Sequence, residues 1–207
     1  MIKTSLRPVP VLLASEALER DRAMIAGWIT SGRSSLKCIL GDKACRHRLL
    51  ANGINWDRVL IAYHDTTPVG YAAFKHSRRG PFSPGIRPFF AEFGSFYGAL
   101  RYGMFVISEW REWYYGFYLY GLRVRKSAQR QGVGSALLLS SFDRARCNDY
   151  QKIELEVQVN NLSARALYDR HGFTAIRTLG LSWLGRLLLI PTVVNLRHTL
   201  PPRAPRQ

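Results

Sequence analysis

Acidic residues are scarce in this sequence. Fourteen Asp and Glu stand against 30 Lys and Arg in 207 residues, a formal net charge of +16. No acid occurs from Thr66 to Ala91, from Trp113 to Phe142, or from Arg170 onward. Such a field draws polyanions: nucleic acid, an anionic membrane surface, or a multiply phosphorylated small molecule. General solubility is the other use for the charge. The bases are spread among apolar residues, and the absence of a Lys/Arg block or groove-reading motif argues against a nucleic-acid-binding protein.

Cysteine is nearly absent too. Cys38, Cys45 and Cys147 are too few and too unevenly spread for a disulfide framework. Cys38, Cys45 and His47 do not match a zinc spacing, so no metal is expected. A reduced, cytoplasmic setting fits that usage. The apolar run near the C-terminus is broken by Arg186 and Pro191, and no membrane span is expected. The start reads without a secretory signal, and internal repeats are missing.

What is present indicates one globular domain. Hydrophobic residues make up 47% of the chain, and its length suits a single core. Residues 1–200 read as that domain and "PPRAPRQ", 201–207, as a loose tail. "SLRPVPVLL" reads as an edge strand, followed by a helix ending near Gly32 and a shorter one closing at Gly53. "DRVLIAYHDTTPVGYAAFKH" reads as a hairpin around a polar turn. After a Gly/Pro loop comes an aromatic insertion at about 88–113, where Phe93, Phe96, Tyr97, Leu100, Met104 and Ile107 recur at helical spacing. "YYGFYLYGLRV" reads as a buried strand. A glycine loop, a helix to about Arg146, the strand "KIELEVQV" and a helix closed by Gly172 follow. One or two further strands, with a helical turn between them, complete the chain. Strands interleaved with helices give a mixed α/β fold.

The loop "SAQRQGVGSALLL" opens a helix with glycines, the poorest ordinary helix formers. The first amides of a helix lack internal partners and face outward, where the dipole also favours anions. Gly132 and Gly134 therefore suggest a pyrophosphate cradle. The loop lacks the lysine and spacing of a P-loop. Leu137 stands where a dinucleotide fingerprint has its third glycine.

The run Gln129-Arg130-Gln131-Gly132-Val133-Gly134 resembles the Q/R-x-x-G-x-G/A coenzyme A motif of the GCN5-related N-acetyltransferase (GNAT) superfamily. Leu155, Glu156, Val157, Asn161, Ala164, Leu167, Tyr168, Gly172 and Phe173 fall in register with its second motif. The resemblance is strong over about residues 114–178. It implies a mostly antiparallel mixed sheet, flanked by helices and splayed where the cofactor enters. It implies acetyl-CoA as co-substrate, its pyrophosphate held by amides of Arg130, Gln131, Gly132, Val133, Gly134 and Ser135. Leu122 and Val124 would pair with the pantetheine arm like an added strand, and Asn161 would contact the cofactor while capping its helix. Where the family often has proline, this chain has Lys126 and Leu162; neither change removes a donor.

The implied chemistry is direct attack of a primary amine on a thioester, which needs a base for the amine and a proton for the departing thiolate. Tyr168 is the general-acid candidate, with packing as its other role. Glu156 occupies the base position of ribosomal-protein N-terminal acetyltransferases. On strand alternation it shares a face with Glu154 and Gln158, and a solvated carboxylate face is the alternative. The acceptor is unidentified. A peptide N-terminus or lysine, and a non-catalytic acyl-CoA sensor, remain as alternatives. Two uses are open for the aromatic insertion besides core. It roofs the acceptor side through Tyr102, Trp110 and Trp113, or it forms a homodimer interface.

Overall fold

The computed structural model describes residues 9–17, 19–32, 36–110, 115–179 and 192–201. The hairpin reading holds: Val59–His64 (β2) and Thr67–Lys75 (β3) pair antiparallel. Val11–Leu13 (β1) adds an edge to β2. Between them Glu19–Thr30 (α1), Lys37–Leu40 (α2) and Lys43–Leu50 (α3) cross one face. The Asp42 side chain caps α3 by accepting the Cys45 N–H at 2.8 Å. That helix ends in a 3-10 turn, Ala51–Gly53, rather than at a left-handed Gly53.

The aromatic insertion folds as Arg87–Trp110 (α4), broken at Gly94, whose φ of 75° and ψ of 172° lie outside the helix. Then follow Phe117–Val124 (β4), Val133–Cys147 (α5), Lys152–Gln158 (β5) and Leu162–Arg170 (α6). Thr174–Leu179 (β6) and Val193–Thr199 (β7) close the sheet. The helical turn expected between β6 and β7, and most of the 201–207 tail, lie outside the described residues. The seven strands run in the order β1-β2-β3-β4-β5-β7-β6. Among them only β4 and β5 pair parallel.

Both sheet faces are covered, so β2 is buried without a break from Val59 to Tyr63 rather than at alternate positions. Leu60 and Ala62 pack toward α5, whose Val133, Leu137, Leu138 and Phe142 form one stripe. Val59, Ile61 and Tyr63 pack toward α1, α3 and α4 through Ile25, Leu49, Phe89 and Phe105. The insertion contributes to that second core mainly through Phe89 and Phe105. Phe96, Tyr97, Leu100, Met104 and Ile107, which the helical spacing groups together, are exposed instead. Of the expected roof, Tyr102 packs edge-on against Phe89, Trp110 is exposed, and Trp113 lies outside the described residues.

Candidate functional site

Strands β4 and β5 run side by side for three residue pairs, the last being Leu119↔Leu155, and then separate. Beyond that fork, the β5-facing edge of Tyr120–Val124 has no strand partner among the described residues. A bulge on the other edge accompanies the fork. Leu119 opposes Phe74 and Gly121 opposes Ala73, which leaves Tyr120 as the extra residue. The bulge resets the alternation, so Leu122 and Val124 join Phe117 and Leu119 on the α5 face. Without it, Gly121 and Arg123 would point there.

The fork opens into a cavity of about 780 Å³, within the range of about 300–1,000 Å³ usual for ligand clefts. Leu122 and Val124 form one wall, the start of α5 another, and Asn161, Leu167 and Tyr168 from α6 a third. Lys43, Arg123, Arg125, Lys126, Arg130 and Arg170 line it, and no acid among the described residues does. Two of these bases are held by α1 and the residue that follows it. The Arg123 guanidinium donates to Ser31 Oγ at 2.9 Å, and that of Arg125 lies 4.5 Å over the Trp28 ring.

The glycine loop shows why its residue types are needed. Arg130 and Gly132 both adopt left-handed backbone, with φ of 62° and 82°. Gly132 caps α5 without a side-chain hydrogen bond, whereas α3 and α6 are capped by Asp42 and Asn161. The first bond of α5 runs from Ala136 N–H to Gly132 O at 2.9 Å, so the amides of Val133, Gly134 and Ser135 precede the helical ladder. A Cβ at Gly132 would meet nothing within 4 Å. A Cβ at Gly134 would come 3.2 Å from Leu167 Cδ2, so this glycine lets α6 pack closely against α5. The two glycines have different jobs. Gln129 and Gln131 brace the loop by donating to Val124 O (3.4 Å) and Ser127 O (2.9 Å), and the Val133 side chain is buried in the core.

Asn161 caps α6 by accepting the Ala164 N–H at 3.2 Å and also lines the cavity. Tyr168 is buried against Phe173, with ring centroids 5.4 Å apart. Its hydroxyl makes no hydrogen bond among the described residues. Burial pushes the phenol up to about 12 and keeps it protonated. Ser135 Oγ and His171 Nε2, 2.9 Å apart, tie the start of α5 to the end of α6. Burial holds the imidazole below its usual pKa.

Leu122, Val124, Gln129, Arg130, Gly132, Gly134, Ser135, Asn161 and Tyr168 thus all meet at the cavity; Gln131, Val133 and Glu156 do not line it. Leu155 and Val157 face α5, which puts Glu156 on the opposite face with Glu154. That face is not a solvated row of carboxylates. Glu154 is 2% exposed and paired with Arg197 at 2.6 Å. Glu156 is half-buried and accepts from the Tyr115 hydroxyl at 3.4 Å, which in turn accepts from Asn195 Nδ2 at 2.7 Å. Burial, and then the Glu156 charge, raise the Tyr115 pKa.

Glu156 and Tyr120 are the first residues past the last β4–β5 pair. Tyr120 donates to Glu109 Oε1 at 2.8 Å, and Glu109 Oε2 accepts from Lys75 Nζ at 3.0 Å. As a base, the segment "YYGFYLYG" itself offers only tyrosines. The carboxylate reaches the fork from α4, and nothing in the local pattern announces it.

The acetyltransferase (GNAT) family model matches residues 42–173. A mycothiol acetyltransferase from Beutenbergia cavernae is 40% identical over 58 residues, 28% of this chain and 20% of that protein. The chain spans about a fifth of the length of the curated relatives it matches. The structure of the NatC complex bound to Gag peptide and CoA aligns with a TM-score of 0.57 and 16% identity, covering 93% of this chain and 99% of that one. The Salmonella typhimurium yncA structure with its cofactor acetyl-CoA aligns with a TM-score of 0.51 and 16% identity, covering 96% and 98%. At these identities the structures share the fold.

Proposed function

The chain belongs to the acetyltransferase (GNAT) family, and on that premise we propose that it transfers an acetyl group from acetyl-CoA to a primary amine by direct attack. The observation that carries this reading is the fork. Among the described residues, a strand edge without a partner, amides at the start of α5 without a side-chain cap and a cavity lined by bases meet in one place. Together they suit a ligand with a peptide-like arm and a phosphorylated head. The amides from Arg130 to Ser135 hold the pyrophosphate, with Gly132 leaving room for its approach. The edge of Leu122 and Val124 receives the arm, and Asn161 borders it. Bound acetyl-CoA supplies an activated thioester at the fork.

Tyr168 donates the proton that the leaving sulfur takes, a role its raised pKa suits at neutral pH. Glu156, at the rim of the fork, takes the proton from the incoming amine, with Tyr115 and Asn195 fixing its carboxylate. The seven-stranded sheet from β1 to β7 supports reading residues 1–200 as one acetyltransferase domain. The placement of Tyr168 in the cavity favours turnover over acyl-CoA sensing.

A panel of small amines, antibiotics and peptides, read by CoA release, tests the proposal and identifies the acceptor class. With any acceptor that turns over, Tyr168→Phe should retain acetyl-CoA affinity and lose roughly 10²–10⁴-fold in rate. Tight acetyl-CoA binding with no release across the panel would favour the sensor. Absence of acetyl-CoA binding would sink the proposal.

A further inference from the structure

We propose that the exposed face of α4 docks onto an anionic lipid bilayer, with the helix lying in the plane of the interface. Between Pro88 and Trp110 the helix carries three charged side chains, and each is committed to the protein. Glu92 accepts from Arg48. Arg101 lies over the Phe93 ring and donates to Ile39 O. Glu109 accepts from Lys75 and Tyr120. What faces water is Phe96, Tyr97, Leu100, Met104, Ile107 and Trp110. Their spacing of three and four residues makes one stripe, about 21 Å long at ~1.5 Å per residue. A contiguous apolar face of this kind marks an interaction site.

Charge selects the occupant. The chain carries +16, Arg87 is exposed at the head of α4, and Lys37 is exposed on α2, which packs beside it. An anionic surface is attracted by that field, whereas a second copy of the chain is repelled. Among the described residues the stripe holds no exposed charge with which a protein partner could set register. It has aliphatic residues between amphipathic aromatics, Tyr97 near one end and Trp110 at the other. Such rings settle at headgroup level while the residues between them enter the acyl boundary. No described helix is long and apolar enough to cross a membrane, so the helix lies on the bilayer. The proposal is independent of the acetyl-transfer reading, and its test needs no turnover.

The test is co-sedimentation of the full chain with sucrose-loaded vesicles of phosphatidylcholine, alone or with roughly one-third phosphatidylglycerol. The chain should sediment with the anionic vesicles and far less with the neutral ones. Phe96 and Ile107 are 77% and 67% exposed, so the pair Phe96→Glu and Ile107→Glu leaves the core intact. That double variant should lose at least about tenfold in partition with unchanged thermal melting. Should it not fold, the pair Phe96→Ser and Ile107→Ser replaces it. Failure of the wild-type chain to sediment would overturn the proposal, as would undiminished partition of the folded double variant. A dimer in sedimentation equilibrium that these substitutions split, with partition unaffected, would make the face a self-interface instead.

Discussion

Alanine at Gly132 and at Gly134 should distinguish a glycine proposed to serve the ligand from one that serves the packing of α5 on α6. Gly132 holds φ at 82°, and a Cβ there meets nothing within 4 Å. The methyl therefore strikes no protein atom, and its cost is conformational. A left-handed L-residue costs roughly 1–2 kcal/mol, and the reduced freedom of the unfolded chain offsets about 0.4–1 kcal/mol of that. The net is about 1 kcal/mol, a fall of about 2–4 °C in Tm for a chain of this size. On the proposed function the open space above Gly132 is the phosphate cradle, so the methyl would also stand where a phosphate approaches the amides. Acetyl-CoA affinity should drop about tenfold, or roughly 1.4 kcal/mol. Gly134→Ala is the control. Its methyl presses on the flexible end of Leu167 at 3.2 Å, a strain opposed by a helix-propensity gain of about 1 kcal/mol. Its affinity should stay within a factor of about two. Calorimetric titration with acetyl-CoA, paired with thermal melts, reads both quantities. If Gly132→Ala melts lower but binds as tightly as wild type, the cradle reasoning is refuted. If Gly134→Ala loses the more affinity, the two glycines have been assigned the wrong way round.

Glu156→Gln should depress turnover and remove the acidic limb of the pH–rate profile while sparing acetyl-CoA affinity. An intact limb would move the base to the Tyr120–Glu109 pair. Burial beside Phe74, Phe117 and Tyr150, and then the Arg58 charge, push His76 down to about 4 from an ordinary value of 6.5. The unfolded ring binds more protons between those values, so this contribution is present above pH 6.5 and is lost as pH falls toward 4. Its ceiling is about 3 kcal/mol, less where water reaches the ring. His76→Phe keeps the stack and should flatten that slope in urea melts; an unchanged slope would clear His76. Burial and the neighbouring Glu92 raise the Cys45 thiol to about 11, while Cys38 and Cys147 are exposed. Titration with an aromatic disulfide near neutral pH should therefore show two fast thiols, with the third reacting only in denaturant. Three equally fast thiols would contradict the packing around α3.

The order of helices and strands was legible because each period is a local property of the chain. The same holds for the cradle and α6, whose Gly132, Asn161 and Tyr168 act within one turn of their own backbone. Those residues line one cavity, an arrangement that the family resemblance rather than their spacing implies. The face shared by Glu154 and Glu156 was legible too, though its solvation was not. Glu154 is buried because Arg197, its register partner on β7, neutralises it from 43 residues away. The insertion was legible as a helix but its orientation was not. Its pattern marks apolar residues nearly all round, and only the packing of α2 and α3 against α4 decides which of them meet water.

The sequence by itself determined the family, the α/β order, the glycine-led start of α5 and the place of Tyr168 on α6. These follow from backbone conformations and side-chain chemistry that neighbouring residues dictate. Tertiary structure alone decided the fork after Leu119, the bulge at Tyr120 and the delivery of Glu109 to the sheet. A strand's pairing and register depend on a partner distant in the chain. Position along β4 therefore cannot say where β5 departs, or which carboxylate the opened edge will meet.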